Sequence, residues 1–223
     1  MKISCIGTGA MGGAIIRSIC KKLDPKLITV TDKNTGMGQM FATDTGCNFV
    51  TSNIEVLDSD YIFLAVKPQF LNDVFDEIAD KIPPTAVVIS MAAGIPLEKL
   101  RKYAPKARFV RMMPNVCAHI GEAMTAITYG SDISEKEAND VKMLLSCAGN
   151  VEYVNEKLMD CVTAVSGSGP AFVFMFIEAM ADAAVQCGMP RSQAYTYASQ
   201  TVYGSAGMVL KTNKHPAELK DMV

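Results

Sequence analysis

Short apolar runs of strand length alternate with stretches of helical periodicity over residues 1–155. The apolar runs are Ile3–Ile6, Leu27–Thr31, Tyr61–Val66, Ala86–Ser90 and Phe109–Met113. Runs this short and this apolar are typical of strands that are covered on both faces. Between them, apolar residues recur at helical spacing, as at Phe70, Val74, Ile78 and Ile82. The alternation predicts an α/β domain with a doubly wound parallel sheet.

Further segments complete this predicted domain. A short strand is expected at Asn48–Val50, and edge strands at Glu122–Thr128 and Val151–Val154. A helix is predicted over Ser134–Ala148, where Ser134 and Glu137 fit a capping box. We therefore expect the sheet domain to occupy residues 1–155.

Beyond residue 155 the pattern is helical only. Helices are predicted over Glu156–Val165, Pro170–Cys187 and Arg191–Lys211, with a further start at His215-Pro216. Ser168-Gly169-Pro170 predicts a helix start, because serine caps helices and proline suits their first turn. The first half of Pro170–Cys187 is apolar nearly all round, so we expect it to be buried. A domain this small has a limited core of its own, and a partner subunit is expected to complete it.

A glycine-rich turn joins the first predicted strand to the first helix. It contains Gly7-Thr8-Gly9-Ala10-Met11-Gly12, and Asp32 follows the next strand. Glycines at this spacing permit a tight turn, close approach of a pyrophosphate and close helix packing, and the helix start adds unpaired N–H groups. Ordinary turns contain such glycines by chance, but the strand before, the helix after and Asp32 favour dinucleotide binding.

Small, polar or proline residues follow several of the predicted strands. The carboxyl ends of parallel strands share one edge of a sheet, and ligands bind there in doubly wound domains. The segments expected along this edge are Gly7–Gly12, Asp32, Asn53, Ala65–Pro68, Ala92–Gly94 and Asn115. Each of them alone is an ordinary strand end, whereas their recurrence predicts a binding site.

Composition restricts the partners of the chain. It has 21 Lys+Arg and 23 Asp+Glu without a basic block, which argues against nucleic-acid binding. The 7 cysteines form no CxxC pair, so neither a metal site nor a disulfide framework is expected. Reduced thiols indicate a cytoplasmic location. The longest apolar stretch, Pro170–Met189, contains Glu178 and Asp182, so no membrane helix is expected.

Several motifs together resemble the pyrroline-5-carboxylate reductases. In chain order they are Ile6–Gly12, Ala65–Gln69, Ala92–Gly94, Arg111–Asn115, Ser166–Phe172, His215-Pro216 and Leu219–Asp221. The resemblance runs from end to end, and the AVKP and GSGPAF motifs are far more specific than the glycine turn. It implies an α/β fold with a Rossmann-type doubly wound sheet domain over residues 1–155, followed by a small all-helical dimerisation domain over residues 156–223.

The resemblance also implies an activity. Family members are oxidoreductases that reduce the cyclic imine 1-pyrroline-5-carboxylate to L-proline with NAD(P)H, the last step of proline biosynthesis. They are homodimers at least, and the dimers often assemble into rings. NADPH is the expected cofactor and NADH the open alternative. Asp32 favours a free ribose hydroxyl, whereas Lys33, Asn34 and Thr35 have the chemistry to hold a 2′-phosphate.

Two sets of site residues are expected. The cofactor contacts are Gly7, Thr8, Gly9, Ala10, Met11, Gly12, Asp32, Lys33, Asn34, Asn53, Ala65, Val66, Lys67, Pro68, Ala92, Ala93 and Gly94. The substrate contacts are Asn115, Glu156, Ser168 and Gly169. Helix-start N–H groups at Ser168-Gly169 suit the substrate carboxylate. The Asn115 side chain suits contact with the nicotinamide carboxamide or with the substrate. Glu156 is a weaker candidate, because an acidic residue at such a position is ordinarily an exposed surface residue. No residue is assigned as the proton donor.

Two other classes of function stay open. One is a different imine or β-hydroxyacid reductase, although the chain has no downstream lysine in a catalytic motif like that of the 6-phosphogluconate dehydrogenase relatives. The other is a non-enzymatic nucleotide sensor, or a truncated relative that binds the cofactor without turnover. Oxidation of NADPH with pyrroline-5-carboxylate as the sole substrate separates these classes.

The resemblance implies a further segment beyond Val223. Family members continue past the equivalent of His215–Val223 into a Ser-Pro-Gly-Gly-Thr-Thr stretch that receives the substrate carboxylate and ring nitrogen at a helix start. We therefore expect residues 156–223 to be a domain truncated at its C-terminus. A protein that ends at Val223 is expected to bind NAD(P)H but to reduce its substrate poorly.

Overall fold

The computed structural model describes residues 1–223, which divide into the units Met1–Ser168 and Gly169–Val223. The first unit contains one eight-stranded sheet with the order β3-β2-β1-β4-β5-β6-β7-β8. The strands are β1 (Ile3–Ile6), β2 (Ile28–Thr31), β3 (Asn48–Phe49), β4 (Tyr61–Leu64), β5 (Val87–Ser90), β6 (Arg108–Met113), β7 (Ala123–Tyr129) and β8 (Gly149–Tyr153). All neighbouring pairs are parallel except β6 and β7, which are antiparallel.

Helices connect the strands and make up the second unit. They are α1 (Ala10–Cys20), α2 (Thr35–Thr45), α3 (Leu71–Ile78), α4 (Leu97–Tyr103), α5 (Glu135–Leu145), α6 (Met159–Val162), α7 (Gly169–Gln186), α8 (Arg191–Thr212) and α9 (Pro216–Asp221). Single 3-10 turns occur at Pro25–Leu27, Glu55–Leu57, Pro68–Phe70, Ala79–Lys81, Val116–Ile120 and Glu156–Leu158, and a π-helical turn at Thr163–Gly167.

Apolar side chains cover both faces of the sheet. On one face, Ile15 and Ile19 of α1 share a buried cluster with Leu144 of α5. On the other face, Leu71 of α3 and Leu100 of α4 share a second cluster. These two layers confirm the doubly wound α/β fold that the alternating sequence pattern predicts. Because β1 lies between β2 and β4, the chain reverses its winding direction there, and ligands bind at such a reversal point.

The predicted edge position of Glu122–Thr128 is wrong. The corresponding strand, β7, lies inside the sheet between β6 and β8, and most of its residues are buried. Only β8 forms that edge of the sheet, and its residues are mostly exposed. The sequence pattern gives strand positions but not the order of pairing, because pairing depends on contacts with distant strands.

The predicted helix start is found, because α7 begins at Gly169, but the predicted capping role of Ser168 is wrong. Ser168 has helical backbone angles (φ −92°, ψ −25°), and its N–H donates to the carbonyl oxygen of Thr163 at 2.9 Å. This bond spans five residues and belongs to the π-helical turn that follows α6. Pro170 has no N–H to donate, and a widened turn is a known accommodation near proline. Ser168 is therefore not the cap that its sequence context predicts.

The second unit has a small core of its own. Its fully buried residues are Ala181 of α7 and Ala194 and Ala198 of α8. Phe172 and Phe176, in the first half of α7, are 67% and 57% exposed within the single chain. This half of the helix is therefore not buried within one chain, and only a second molecule could bury it as expected.

One helical stretch, Glu156–Gln186, is long and apolar enough to cross a membrane by length and composition alone. The sequence predicts no membrane helix in this region, because Glu178 and Asp182 interrupt its apolar stretch, so the two results differ. Length and composition of one helix are weak evidence for a membrane span, because an apolar helix in a subunit interface has the same properties.

Candidate functional site

The glycine turn packs tightly against the end of β4. Gly7 has a φ of +99°, and a Cβ on it would lie 2.7 Å from the carbonyl oxygen of Ala65. A Cβ on Gly12 would lie 2.5 Å from the Cβ of Ala65. Neither position accommodates a side chain without movement of the backbone. These two glycines therefore fix the path of the chain from β1 into α1.

Gly9 has a different environment. A Cβ on Gly9 would meet no atom within 4 Å, and its φ of −62° suits any residue. Gly9 is the N-cap of α1, without a side-chain cap and without an acidic residue in the first turn. The first N–H groups of α1 are thus open to an anion, and the missing Cβ leaves room for one.

A cavity of about 560 Å³ lies beside this turn. Its volume is in the range of small-molecule sites. The lining residues come from the ends of β1, β2 and β4, the loop after β3, the start of α2, and α3. They are Ile6, Gly7, Gly9, Thr31, Asp32, Lys33, Thr35, Thr51, Asn53, Ala65, Val66, Lys67, Phe70, Asp73, Val74 and Glu77. The residues fit a dinucleotide, because an anion-binding helix start and an open groove meet in one place.

Asp32 is turned toward the glycine turn. Its Oδ2 accepts hydrogen bonds from the backbone N–H of Thr8 at 2.7 Å and from the Thr8 hydroxyl at 2.8 Å. Its Oδ1 accepts from the backbone N–H of Asn34 at 2.9 Å. The carboxylate thus connects β2 to the loop that follows β1.

Two other polar residues of the cavity have partners. The Asn53 Nδ2 group donates to the Oε2 atom of Glu77 at 2.7 Å. The Lys33 ammonium lies 5.8 Å from the centre of the Phe70 ring, within the range of a cation–π contact. Lys33 therefore presents a positive charge at the cavity, beside an exposed aromatic ring.

The structure brings eight of the seventeen predicted cofactor contacts together around the cavity. Gly7, Gly9, Asp32, Lys33, Asn53, Ala65, Val66 and Lys67 line the cavity. The other nine do not line it; they are Ala92, Ala93 and Gly94 in the loop after β5, together with Thr8, Ala10, Met11, Gly12, Asn34 and Pro68. Sequence reasoning missed Phe70 and Val74, which it assigned to the sheet-facing stripe of a helix. Their position directly after the AVKP segment was the available signal. The individual cofactor roles stay predictions.

Asn115 forms a second polar centre, after the end of β6. The side chain is 8% exposed, and its Oδ1 atom has no hydrogen-bond partner. Its Nδ2 group donates to the Ser166 hydroxyl at 3.3 Å, and that hydroxyl donates to the carbonyl oxygen of Met124 at 3.3 Å. A buried acceptor without a partner is costly, so a ligand group that donates to Oδ1 would stabilise it.

Glu156 has structural partners inside the first unit. Its Oε1 atom accepts from the backbone N–H of Leu97 at 2.7 Å and pairs with the Nη1 atom of Arg111 at 3.1 Å. Arg111 is 4% exposed, so Glu156 compensates a buried charge and holds the start of α4. Its predicted contact with substrate stays a prediction, as do those of Ser168 and Gly169.

Family comparisons match both parts of the chain. Residues 156–223 match the pyrroline-5-carboxylate reductase dimerisation family, and residues 2–94 match the coenzyme F420-dependent NADP oxidoreductase family. The dimerisation match begins at residue 156, whereas the two structural units divide after Ser168. In the first unit, Met159 packs in a buried cluster with Met113 and Ala126. The predicted domain boundary at residue 155 stays a prediction.

Curated relatives match over the full chain. The pyrroline-5-carboxylate reductase of Arabidopsis thaliana is 39% identical over 225 residues, which are 100% of this chain and 82% of that relative. The pyrroline-5-carboxylate reductase of Escherichia coli K12 is 41% identical over 226 residues, which are 100% of this chain and 84% of that relative.

Solved structures of similar proteins agree. A pyrroline-5-carboxylate reductase from Coxiella burnetii matches with a TM-score of 0.91 at 30% identity, over 99% of this chain and 84% of that one. The pyrroline carboxylate reductase of Plasmodium falciparum, with NADP bound, matches with a TM-score of 0.87 at 29% identity, over 100% of this chain and 84% of that one.

Proposed function

Because the chain belongs to the pyrroline-5-carboxylate reductase family, we propose that it catalyses the NADPH-dependent reduction of 1-pyrroline-5-carboxylate to L-proline, the last step of proline biosynthesis. The observation that carries this proposal is the 39% and 41% identity to two named curated reductases over the whole chain. The glycine turn alone would not carry it, because many oxidoreductases share such a turn.

The first unit supplies the cofactor site in this proposal. The open helix start at Gly9 receives the pyrophosphate, and the cavity between the ends of β2 and β4 receives the adenosine half. When bound, the reduced nicotinamide supplies the hydride. Gly7 and Gly12 keep the turn close to Ala65, so the backbone N–H groups are held in place before the cofactor arrives.

Asn115 belongs to the nicotinamide end of the site in this proposal. A dinucleotide that extends from the α1 start across the carboxyl end of β4 reaches toward the ends of β5 and β6. The unpartnered Oδ1 atom of Asn115 suits the N–H of the nicotinamide carboxamide. The Ser166 hydroxyl holds the Asn115 amide so that its oxygen, rather than its nitrogen, is free.

Residues 156–223 are proposed to form a homodimer, and the dimers to assemble into a ring. The exposed phenylalanines of α7 and the match to a dimerisation family support the first step. The small core of the second unit supports it as well, because a second molecule would supply the buried area that one chain lacks. A cytoplasmic location is proposed on the seven free thiols, which are typical of a reducing compartment.

Substrate-dependent NADPH oxidation tests this proposal against its alternatives. We expect absorbance loss with 1-pyrroline-5-carboxylate, and L-proline as the product. Preference for an acyclic imine, or NADP⁺ reduction with a β-hydroxyacid, would indicate a different reductase on the same fold. NADPH binding without oxidation by any of these substrates would favour a nucleotide sensor.

A further inference from the structure

The acidic residue after β2 has most of its hydrogen-bonding capacity already in use. A carboxylate accepts about four hydrogen bonds. Asp32 accepts two from Thr8 through Oδ2 and one from the Asn34 N–H through Oδ1. In a glycine-turn dinucleotide site, the acid at this position ordinarily accepts from the ribose hydroxyl of NAD. Here one acceptor position, on Oδ1, is left for such a contact.

Both donors on Oδ2 belong to the glycine turn. Thr8 lies between Gly7 and Gly9 and is 8% exposed, so its hydroxyl has little access to water. The Thr8 N–H and hydroxyl both meet the same carboxylate oxygen, which fixes the backbone between the two glycines. The position of Gly9, where a pyrophosphate would approach, therefore depends on Asp32.

A cation lies next to this carboxylate and faces the same cavity. Lys33 follows Asp32 directly, lines the cavity and lies over the Phe70 ring. The three donors on Asp32 offset part of its negative charge, which would otherwise repel a phosphate at the ribose. A lysine ammonium binds phosphate well, because it is a compact charge with three donors.

We propose that Asp32 is a positioning residue for the glycine turn, and that Lys33 selects dinucleotides that carry a 2′-phosphate. This inference rests on the proposed function, because it concerns the cofactor of the same site. It reverses the expectation from the sequence motif, in which Asp32 contacts the ribose and favours NADH. Substitution of Asp32 should then weaken the binding of NADPH and NADH equally, whereas substitution of Lys33 should weaken the binding of NADPH alone.

Calorimetric titration of NADPH and NADH tests the two roles separately. The variants are D32N, T8V, T8S and K33Q, with K106Q as a matched control at an exposed lysine that does not line the cavity. We expect K33Q to weaken NADPH binding about tenfold and NADH binding less than about twofold, as for loss of one charged phosphate contact. D32N and T8V are expected to weaken the binding of NADPH and of NADH by equal factors. T8S, which keeps the hydroxyl, is expected to bind both cofactors like the wild type.

Selective loss of NADH binding in D32N would overturn this inference, because it would place Asp32 at the ribose. An equal effect of K33Q on both cofactors would overturn the role of Lys33. The T8V and T8S pair gives the same test without a change at Asp32 if D32N fails to fold. Absence of binding of either cofactor to the wild type would instead overturn the proposed function.

Discussion

In the turn after β1, Gly12 is needed for folding, whereas Gly9 is proposed to be needed for cofactor binding. A Cβ on Gly12 meets Ala65, whereas a Cβ on Gly9 meets nothing in the chain. We expect Gly12→Ala to lower the free energy of unfolding by about 1–3 kcal/mol, as overpacking does. Gly9→Ala is expected to leave stability unchanged and to weaken NADPH binding about tenfold, since the methyl group occupies space that the pyrophosphate needs.

Urea denaturation and calorimetric titration measure these two effects. Each glycine variant serves as the control for the other, since both place a methyl group in the same turn. Unchanged NADPH affinity in Gly9→Ala would show that the pyrophosphate does not approach this residue.

Asn115 gives a residue-scale test of the nicotinamide position. If Oδ1 accepts from the carboxamide N–H, Asn115→Ala should weaken NADP⁺ binding about tenfold, as for one lost buried hydrogen bond. The 3-acetylpyridine analogue of NADP⁺ has no amide N–H, so its affinity should change less than about twofold in the same variant. Equal losses for both ligands would place Asn115 away from the carboxamide.

Sequence reasoning at this scale succeeds where the cause is local. The tight packing of Gly7 and Gly12 and the open space at Gly9 follow from glycine spacing within one turn, and the structure has these steric environments. The orientations of Asp32 and Glu156 could not be predicted in this way. Their hydrogen-bond partners are distant in sequence, since Asp32 meets Thr8 and Glu156 meets Leu97.

Among the secondary-structure elements, those with the strongest periodicity were predicted best. The helix predicted over Ser134–Ala148 forms at Glu135–Leu145, because Ser134 caps its start and most of its apolar residues are buried. Residues 156–168 were predicted poorly. Their pattern is helical, but the chain passes through a 3-10 turn, α6 and a π-helical turn, a sequence of forms that periodicity does not distinguish.

The capping box of α5 gives a test at the scale of one element. The Ser134 hydroxyl accepts from the Glu137 N–H at 3.3 Å, and Glu137 accepts from the Ser134 N–H at 2.9 Å. Ser134→Ala should lower the free energy of unfolding by about 1 kcal/mol, as typical for a lost N-cap. Ser131→Ala, at an exposed residue outside the helix, is the matched control and should change it little. Urea denaturation of both variants measures the difference.

Glu137 makes part of this stability depend on pH. Burial raises the pKa of Glu137, but the Ser134 hydrogen bonds and the Arg108 charge outweigh it, so the pKa lies below its ordinary value. A carboxyl group with a lowered pKa stabilises the fold above its ordinary pKa, and this contribution is lost as pH falls through the lowered value. Glu137→Gln should therefore be less stable than the wild type at neutral pH. The difference should vanish in acid, and a difference independent of pH would contradict this assignment.

For the whole molecule, the exposed apolar face of α7 predicts assembly. Phe176→Glu should convert the dimer to a monomer, because a charge would be buried in the interface. NADPH affinity should change less than about twofold, since the cofactor cavity lies wholly in the first unit. Asn139→Glu, on the exposed face of α5, adds the same charge as a control and should remain dimeric. Sedimentation at micromolar concentration distinguishes the states, and a monomeric wild type would contradict the prediction.

At this scale the motifs in chain order predicted the family, and the comparisons confirm it. Composition alone predicted less, because it indicates a charge-balanced chain suited to small ligands and does not name a reaction. Assembly of copies is likewise not visible in one chain, although the shortage of buried residues in the second unit indicates a missing partner.

Transfer of deuterium from NADPH to proline tests the proposed reaction most directly. The protein is incubated with NADPH that carries deuterium at both C4 positions of the nicotinamide and with unlabelled 1-pyrroline-5-carboxylate, and proline is analysed by mass spectrometry. We predict L-proline with one deuterium, at the carbon that was the imine carbon, and much less of it from Gly9→Ala. Bound NADPH without labelled proline after long incubation would contradict the proposed function.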